Sequence, residues 1–116
     1  MNRVPADSDV LNSTLKEEAQ LSRNVKVAAK DLGPEHTDVA LSLMDLGDFY
    51  FREERFVDSA ESFRRAIDIY EALGEGHQML AAMAMRSLSA VLMLQGKYAE
   101  GQVMNRNARI LIQSYQ

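Results

Sequence analysis

With 116 residues, 47% hydrophobic and 26% charged, and a net charge of −4, the chain has the balance of one globular domain. It lacks the broad basic footprint that nucleic acid or anionic lipid would require. Cysteine is absent, which removes disulfides, thiolate metal sites and thiol nucleophiles together. The only prolines are Pro5 and Pro34, and the proline-free run from Glu35 to Gln116 suits helices rather than strands and hairpins. The expectation is an all-α, cytoplasmic-type domain.

In chain order, residues 1–9 are polar and carry no apolar segment of a secretory peptide. Residues 7–31 then read as a lone helix. Leu21, Val25, Ala28 and Leu32 form its apolar series, Leu11 and Leu15 extend it, and Glu18 interrupts it. Lys26 and Lys30 suit the negative end of its dipole. Gly33 and Pro34 close it, and Thr37 or Asp38 is the expected cap of the next helix.

Residues 37–72 read as a helix–turn–helix unit. Ala40, Leu43, Leu46, Gly47 and Tyr50 share one face of its first helix, and Arg52 to Arg55 is a charged turn. Phe56, Ser59, Ala60, Phe63, Ala66, Ile67 and Tyr70 share a face of its second. Residues 78–115 read as another unit, with Ala82, Met85, Leu88 and Leu92, a turn at Gln95-Gly96-Lys97, then Tyr98, Gly101, Ala108, Leu111 and Ile112. Gly96 suits the left-handed residue that ends a helix. The stretch from Gln78 to Gly96 holds one charge, Arg86, near its centre. That charge would cost about 2.5–3.5 kcal/mol on insertion, and the Ala, Met and Ser around it repay little. A buried helix is expected there, not a membrane span.

The two units are related to each other. At an offset of 42, Ala40 aligns with Ala82, Leu46 with Leu88, Phe56 with Tyr98, Arg64 with Arg106 and Ala66 with Ala108. Few positions are identical, but they are small or apolar ones at helical spacing, where a repeat under packing constraint keeps them. The series Leu43, Leu46, Gly47, Tyr50, then Phe56, Ser59, Phe63, Ala66, resembles a tetratricopeptide repeat. The 42-residue spacing and the LGPEHTDVA connector resemble its kinesin-light-chain-like branch. Ser89 and Asn105 depart from the pattern, which prefers Gly or Ala and an aromatic there. The resemblance implies an all-α, right-handed stack of antiparallel helix pairs, about five helices in one domain over residues 1–116, that binds proteins.

Candidate chemistry is sparse. His36 and His77 occupy equivalent connectors about 10 Å apart as packed helices go, without a third ligand, and read as capping or packing residues. Glu17-Glu18 and Glu53-Glu54 are adjacent pairs whose side chains diverge on a helix. Ser42, Ser87 and Ser89 have no His at a useful spacing, and there is no phosphate loop. The expectation is no enzyme, no metal and no cofactor.

Carried onto this chain, the family's concave groove falls on Leu41, Met44, Asp48, Phe51 and Arg52 of the first unit and Met83, Arg86, Ala90, Met93 and Leu94 of the second. Seven of these ten are apolar and three are Met. The residues that would read acidic peptides are missing: Met44-Asp45 and Arg86-Ser87 stand where the kinesin-light-chain pattern has paired Asn. The expected partner is another protein or peptide, neither nucleic acid nor membrane. Charge adds a second expectation. Residues 1–75 hold nine Lys/Arg against sixteen Asp/Glu, a balance of −7, whereas residues 76–116 hold four against one, a balance of +3. Val103, Ile110 and Ile112 are expected on the outer face of the last helix. Two repeats and a half also fall short of the three usually needed for a continuous core. Together these imply a homo-oligomer whose groove and last helix are covered by another copy, or a continuation after Gln116.

Overall fold

The computed structural model describes residues 7–115 and builds α1 (Asp7–Leu32), α2 (Thr37–Arg52), α3 (Phe56–Leu73), α4 (Gln78–Leu94) and α5 (Tyr98–Tyr115). Most of the polar stretch read for targeting lies outside the described residues. Packing is sequential, each helix resting against the next in the chain. The radius of gyration is 16.1 Å, against about 13 Å for a compact domain of this length. This is a stack of helix pairs, α2 with α3 and α4 with α5, preceded by a lone α1.

One contact sets the register of each pair. In the first, the Ser59 hydroxyl donates to the Gly47 carbonyl at 2.8 Å, and the Phe63 ring lies over Gly47 so closely that a Cβ there would sit 2.6 Å from it. In the second, the Ser89 hydroxyl donates to the Gly101 carbonyl, also at 2.8 Å. Gly47 and Ser89 are equivalent at the 42-residue offset, as are Ser59 and Gly101. Serine and glycine have exchanged helices, so each crossing keeps one glycine and one hydroxyl-to-carbonyl bond. Asn105 replaces Phe63 at the same offset and is exposed. Without a ring there, the second pair has room for a Cβ at Ser89. The two departures from the repeat pattern are therefore one compensated change.

The helix ends also repeat. After α2, the Arg55 amide donates to the Tyr50 carbonyl at 2.8 Å and the Glu54 amide to Phe51 at 3.1 Å. After α4, Lys97 donates to Leu92 at 2.8 Å and Gly96 to Met93 at 3.0 Å. Both are Schellman endings, which place the residue between cap and exit in the left-handed region. Gly96 takes φ 78° there without strain, but Glu54 takes φ 58° with a side chain.

Several expectations are corrected. The cap of α2 is His36, not Thr37 or Asp38: its Nδ1 accepts from the Asp38 amide at 3.0 Å. Leu11, Leu15 and Leu32 of the expected series are about half exposed, leaving Leu21, Val25 and Ala28 as its packed members. Tyr98 is exposed, whereas its counterpart Phe56 packs edge-on to Phe51 with centroids 6.0 Å apart. Met93 stands where Phe51 does and lies over Gly101 instead, so Tyr98 has no aromatic partner. Ile112 packs against the core, at the place Tyr70 holds in the first unit, while Val103 and Ile110 are exposed as expected.

Two substitutions test this account. Gly47→Ala should lower stability by about 1–3 kcal/mol, because the Phe63 ring cannot yield as a chain end would. Gly101→Ala meets only the flexible Met93 side chain at 3.2 Å and should be neutral or gain up to about 1 kcal/mol in helix propensity. Thermal melts of the two variants side by side check it. Glu54→Gly should stabilise by about 0.5–1 kcal/mol by relieving the left-handed residue, net of the entropy glycine adds to the unfolded chain. Chemical denaturation reads that gain as a shifted midpoint at unchanged slope.

Candidate protein-binding surface

The ten groove residues divide in two. On α2, Leu41, Asp48 and Arg52 are exposed, and on α4 so are Met83, Arg86, Ala90 and Leu94. The remaining three, Met44, Phe51 and Met93, are half-buried: Met44 and Phe51 pack against the core, and Met93 covers Gly101. These three hold the helix pairs together more than they face solvent. Within the groove the exposed apolar side chains accordingly gather on α4, where Met83 is 59% and Leu94 58% exposed, with Met79 one turn before Met83.

α4 therefore is not buried all round. Ala81, Ala82, Ala84, Met85, Leu88, Ser89, Val91 and Leu92 are buried, which leaves one narrow exposed stripe of Met79, Met83, Arg86, Ala90 and Leu94. The stripe on α2 differs in chemistry. It carries Asp38, Leu41, Asp45, Asp48 and Arg52. Partial burial of the Asp48 carboxyl pushes its pKa up, and the nearby Asp45 charge adds to this. Arg52 is engaged elsewhere: its Nη2 donates to Glu17 of α1 at 3.0 Å.

The same C-terminal end of α2 holds a polar node around Glu18, the residue that interrupts the apolar series of α1. Glu18 of α1 accepts from the Tyr50 hydroxyl and from Arg55 Nη1, both at 2.9 Å. The Arg55 guanidinium also meets Asp58 and lies 4.5 Å from the Tyr50 ring centroid. Hydrogen bonding to Arg55 holds the Glu18 carboxyl below its ordinary range, with Tyr50 assisting against the cost of burial. The Tyr50 pKa is raised, first by burial and then by donation to Glu18. Glu18 thus fastens α1 to the α2–α3 turn. The clue available in the sequence was a carboxylate three residues before Leu21, on the helix face that must meet α2.

The sign of its pH effect follows. A carboxylate with a depressed folded pKa adds stability that is present above the unfolded value near 4.5 and is lost as pH falls through the lower folded value. Melting temperature should therefore drop more between pH 5 and pH 3 in the native chain than in Glu18→Gln. Parallel melts across that range measure the difference.

The two histidines make separate contacts. His36 caps α2, and His77 stacks on Tyr70 with centroids 6.5 Å apart. Among the described residues, no group of three or more His, Cys, Asp or Glu is placed to hold a metal ion. None of the helices is long and apolar enough to cross a membrane.

Antiparallel helix pairs repeating at about 42 residues, with conserved crossing chemistry and one outward stripe per pair, define a helical-repeat protein. The model of the tetratricopeptide repeat matches residues 38–100, more than half of the chain, and the chain belongs to that family. No sequence match among curated proteins accompanies it.

Proposed function

We propose that the chain is a non-catalytic adaptor or scaffold module that holds a peptide or helix of another protein against the outward stripes of α4 and α2. Tetratricopeptide repeats generally mediate protein–protein interaction. The observation that carries the reading is the exposure of Met83 and Leu94, 59% and 58%, on a helix otherwise buried. Flexible, polarizable Met side chains suit a surface that adapts to a partner. The 42-residue spacing and the LGPEHTDVA connector support the kinesin-light-chain-like branch, with a ligand other than an acidic peptide, since Met44, Asp45 and Asp48 replace the groups that would read one. Absence of cysteine fits action in the reducing cytoplasm.

Exposure of Val103 and Ile110 on α5, 45% and 54%, supports a second reading in which another copy covers this helix. These residues stand where α3 carries the exposed Glu61 and Asp68.

Replacing both Met83 and Leu94 by Gln should leave helicity and melting temperature nearly unchanged and abolish capture of the partner retained by the native domain. Circular dichroism and affinity capture with mass spectrometry measure the two. Light scattering over a dilution series, with Ile110→Lys as control, measures self-association. Loss of the fold in the Gln variant would make these side chains core.

A further inference from the structure

A cleft of about 550 Å³ lies between α1 and α2, apart from the α4 stripe. Its apolar lining includes Val27, Ala28 and Leu41, and its carboxylates are Asp31, Asp38 and Asp45, with Arg23 as the one lining cation. Arg23 is turned along its own helix, where its Nη1 donates to Gln20 at 3.4 Å. Val27 is 49% and Leu41 48% exposed.

The repeat explains why this cleft is open. At the 42-residue offset Val27 corresponds to Ile69, and Asn24 to Ala66. Ile69 is 5% exposed and Ala66 fully buried, because α3 is flanked by α2 on one side and α4 on the other. Among the described residues α1 is flanked by α2 alone. The face of α1 that a second helix covers in α3 therefore stays open among the described residues.

We propose that the α1–α2 cleft accepts an amphipathic α-helix of another protein whose apolar stripe meets Val27, Ala28 and Leu41 and whose Lys or Arg residues meet Asp31, Asp38 and Asp45. Asp38 and Asp45 are seven residues apart on one helix face, about 10.5 Å, with Leu41 between them. A ligand helix with basic residues at i and i+7 and a leucine midway matches that order. Burial raises the pKa of Asp48 and of Tyr70, and the negative field of Asp45 adds to both shifts. A cation placed here therefore relieves repulsion as well as forming pairs. This inference rests on the chain being a protein-binding module; the cleft shares Asp38, Leu41 and Asp45 with the α2 stripe and no residue with the α4 stripe.

The test uses a labelled 15-residue helical peptide of leucine and lysine in that register, and its counterpart with glutamate for lysine. Fluorescence anisotropy should show binding of the lysine peptide alone. The Asp31→Asn/Asp45→Asn variant should bind it roughly tenfold more weakly, and Val27→Lys should abolish binding, with unchanged melting temperatures. Amide shifts in the full chain should fall on residues 20–45, and the Met83→Gln/Leu94→Gln variant should bind normally. Equal binding of the glutamate peptide, no binding of either, or unchanged affinity in the Asn variant would overturn the proposal. Shifts confined to α4 would overturn it too, while leaving the α4 reading standing.

Discussion

The structure depends on how closely the two helices of each pair approach. Each crossing has a glycine facing a serine whose hydroxyl donates to that glycine's carbonyl, and in the first pair the Phe63 ring leaves no room for a side chain at Gly47. Once Gly47 lies under Phe63 and Ser59 reaches the Gly47 carbonyl, the rotation of α2 about its axis is fixed. Leu43, Leu46 and Tyr50 turn inward, and Leu41, Asp45, Asp48 and Arg52 are left outside. In the second pair the same bond, with donor and acceptor exchanged between helices, leaves Met83, Arg86, Ala90 and Leu94 outside. The surfaces available to a partner are what close packing does not use.

Charge is organised around a different demand. Among the described residues α1 packs mainly on α2, and burial of Leu21, Val25 and Ala28 is a modest apolar contact for a helix of 26 residues. Two ion pairs, Glu17 with Arg52 and Glu18 with Arg55, supplement it at the α2–α3 turn. Exposed pairs contribute little singly, but Glu18 accepts two hydrogen bonds and Arg55 is shared among Glu18, Asp58 and the Tyr50 ring, so this node behaves as a network. The same residues explain why a non-glycine is found at Glu54. The turn is held by Arg55 on one side and the Tyr50 carbonyl on the other, which keeps the strained residue in place.

Most of the fold was legible from periodicity. The five helices, their turns and the 42-residue relation all follow from apolar spacing and glycine placement, since a helix must bury one stripe whatever its partner. What was illegible depends on pairs of residues far apart in sequence. Glu18 reads as a polar break until Tyr50 and Arg55 are beside it. Ser89 and Asn105 read as two defects until Gly101 and Phe63 are set against them. The cap of α2 was misplaced because His36 can supply a ring nitrogen where Thr37 and Asp38 offered the more common oxygen. Among the groove residues, helical spacing identified the face, but it could not tell Met83, which is exposed, from Met93, which covers a glycine eight residues away in the next helix.

The sequential packing has a thermodynamic consequence. A stack in which each helix rests on its chain neighbours has its free energy written as a row of adjacent terms, not as one shared core. Among the described residues the terms at α1 and α5 are each bounded on one side only, so opening of this stack should begin at those two helices and move inward, with α3 and the buried face of α4 the last to exchange their amide protons. The exposed stripe of α4 is therefore carried on the most slowly opening part of the molecule, and the α1–α2 cleft on one of the fastest. A ligand at the first finds a surface already ordered, whereas one at the second adds a term to the row and extends the cooperative unit toward the N-terminus.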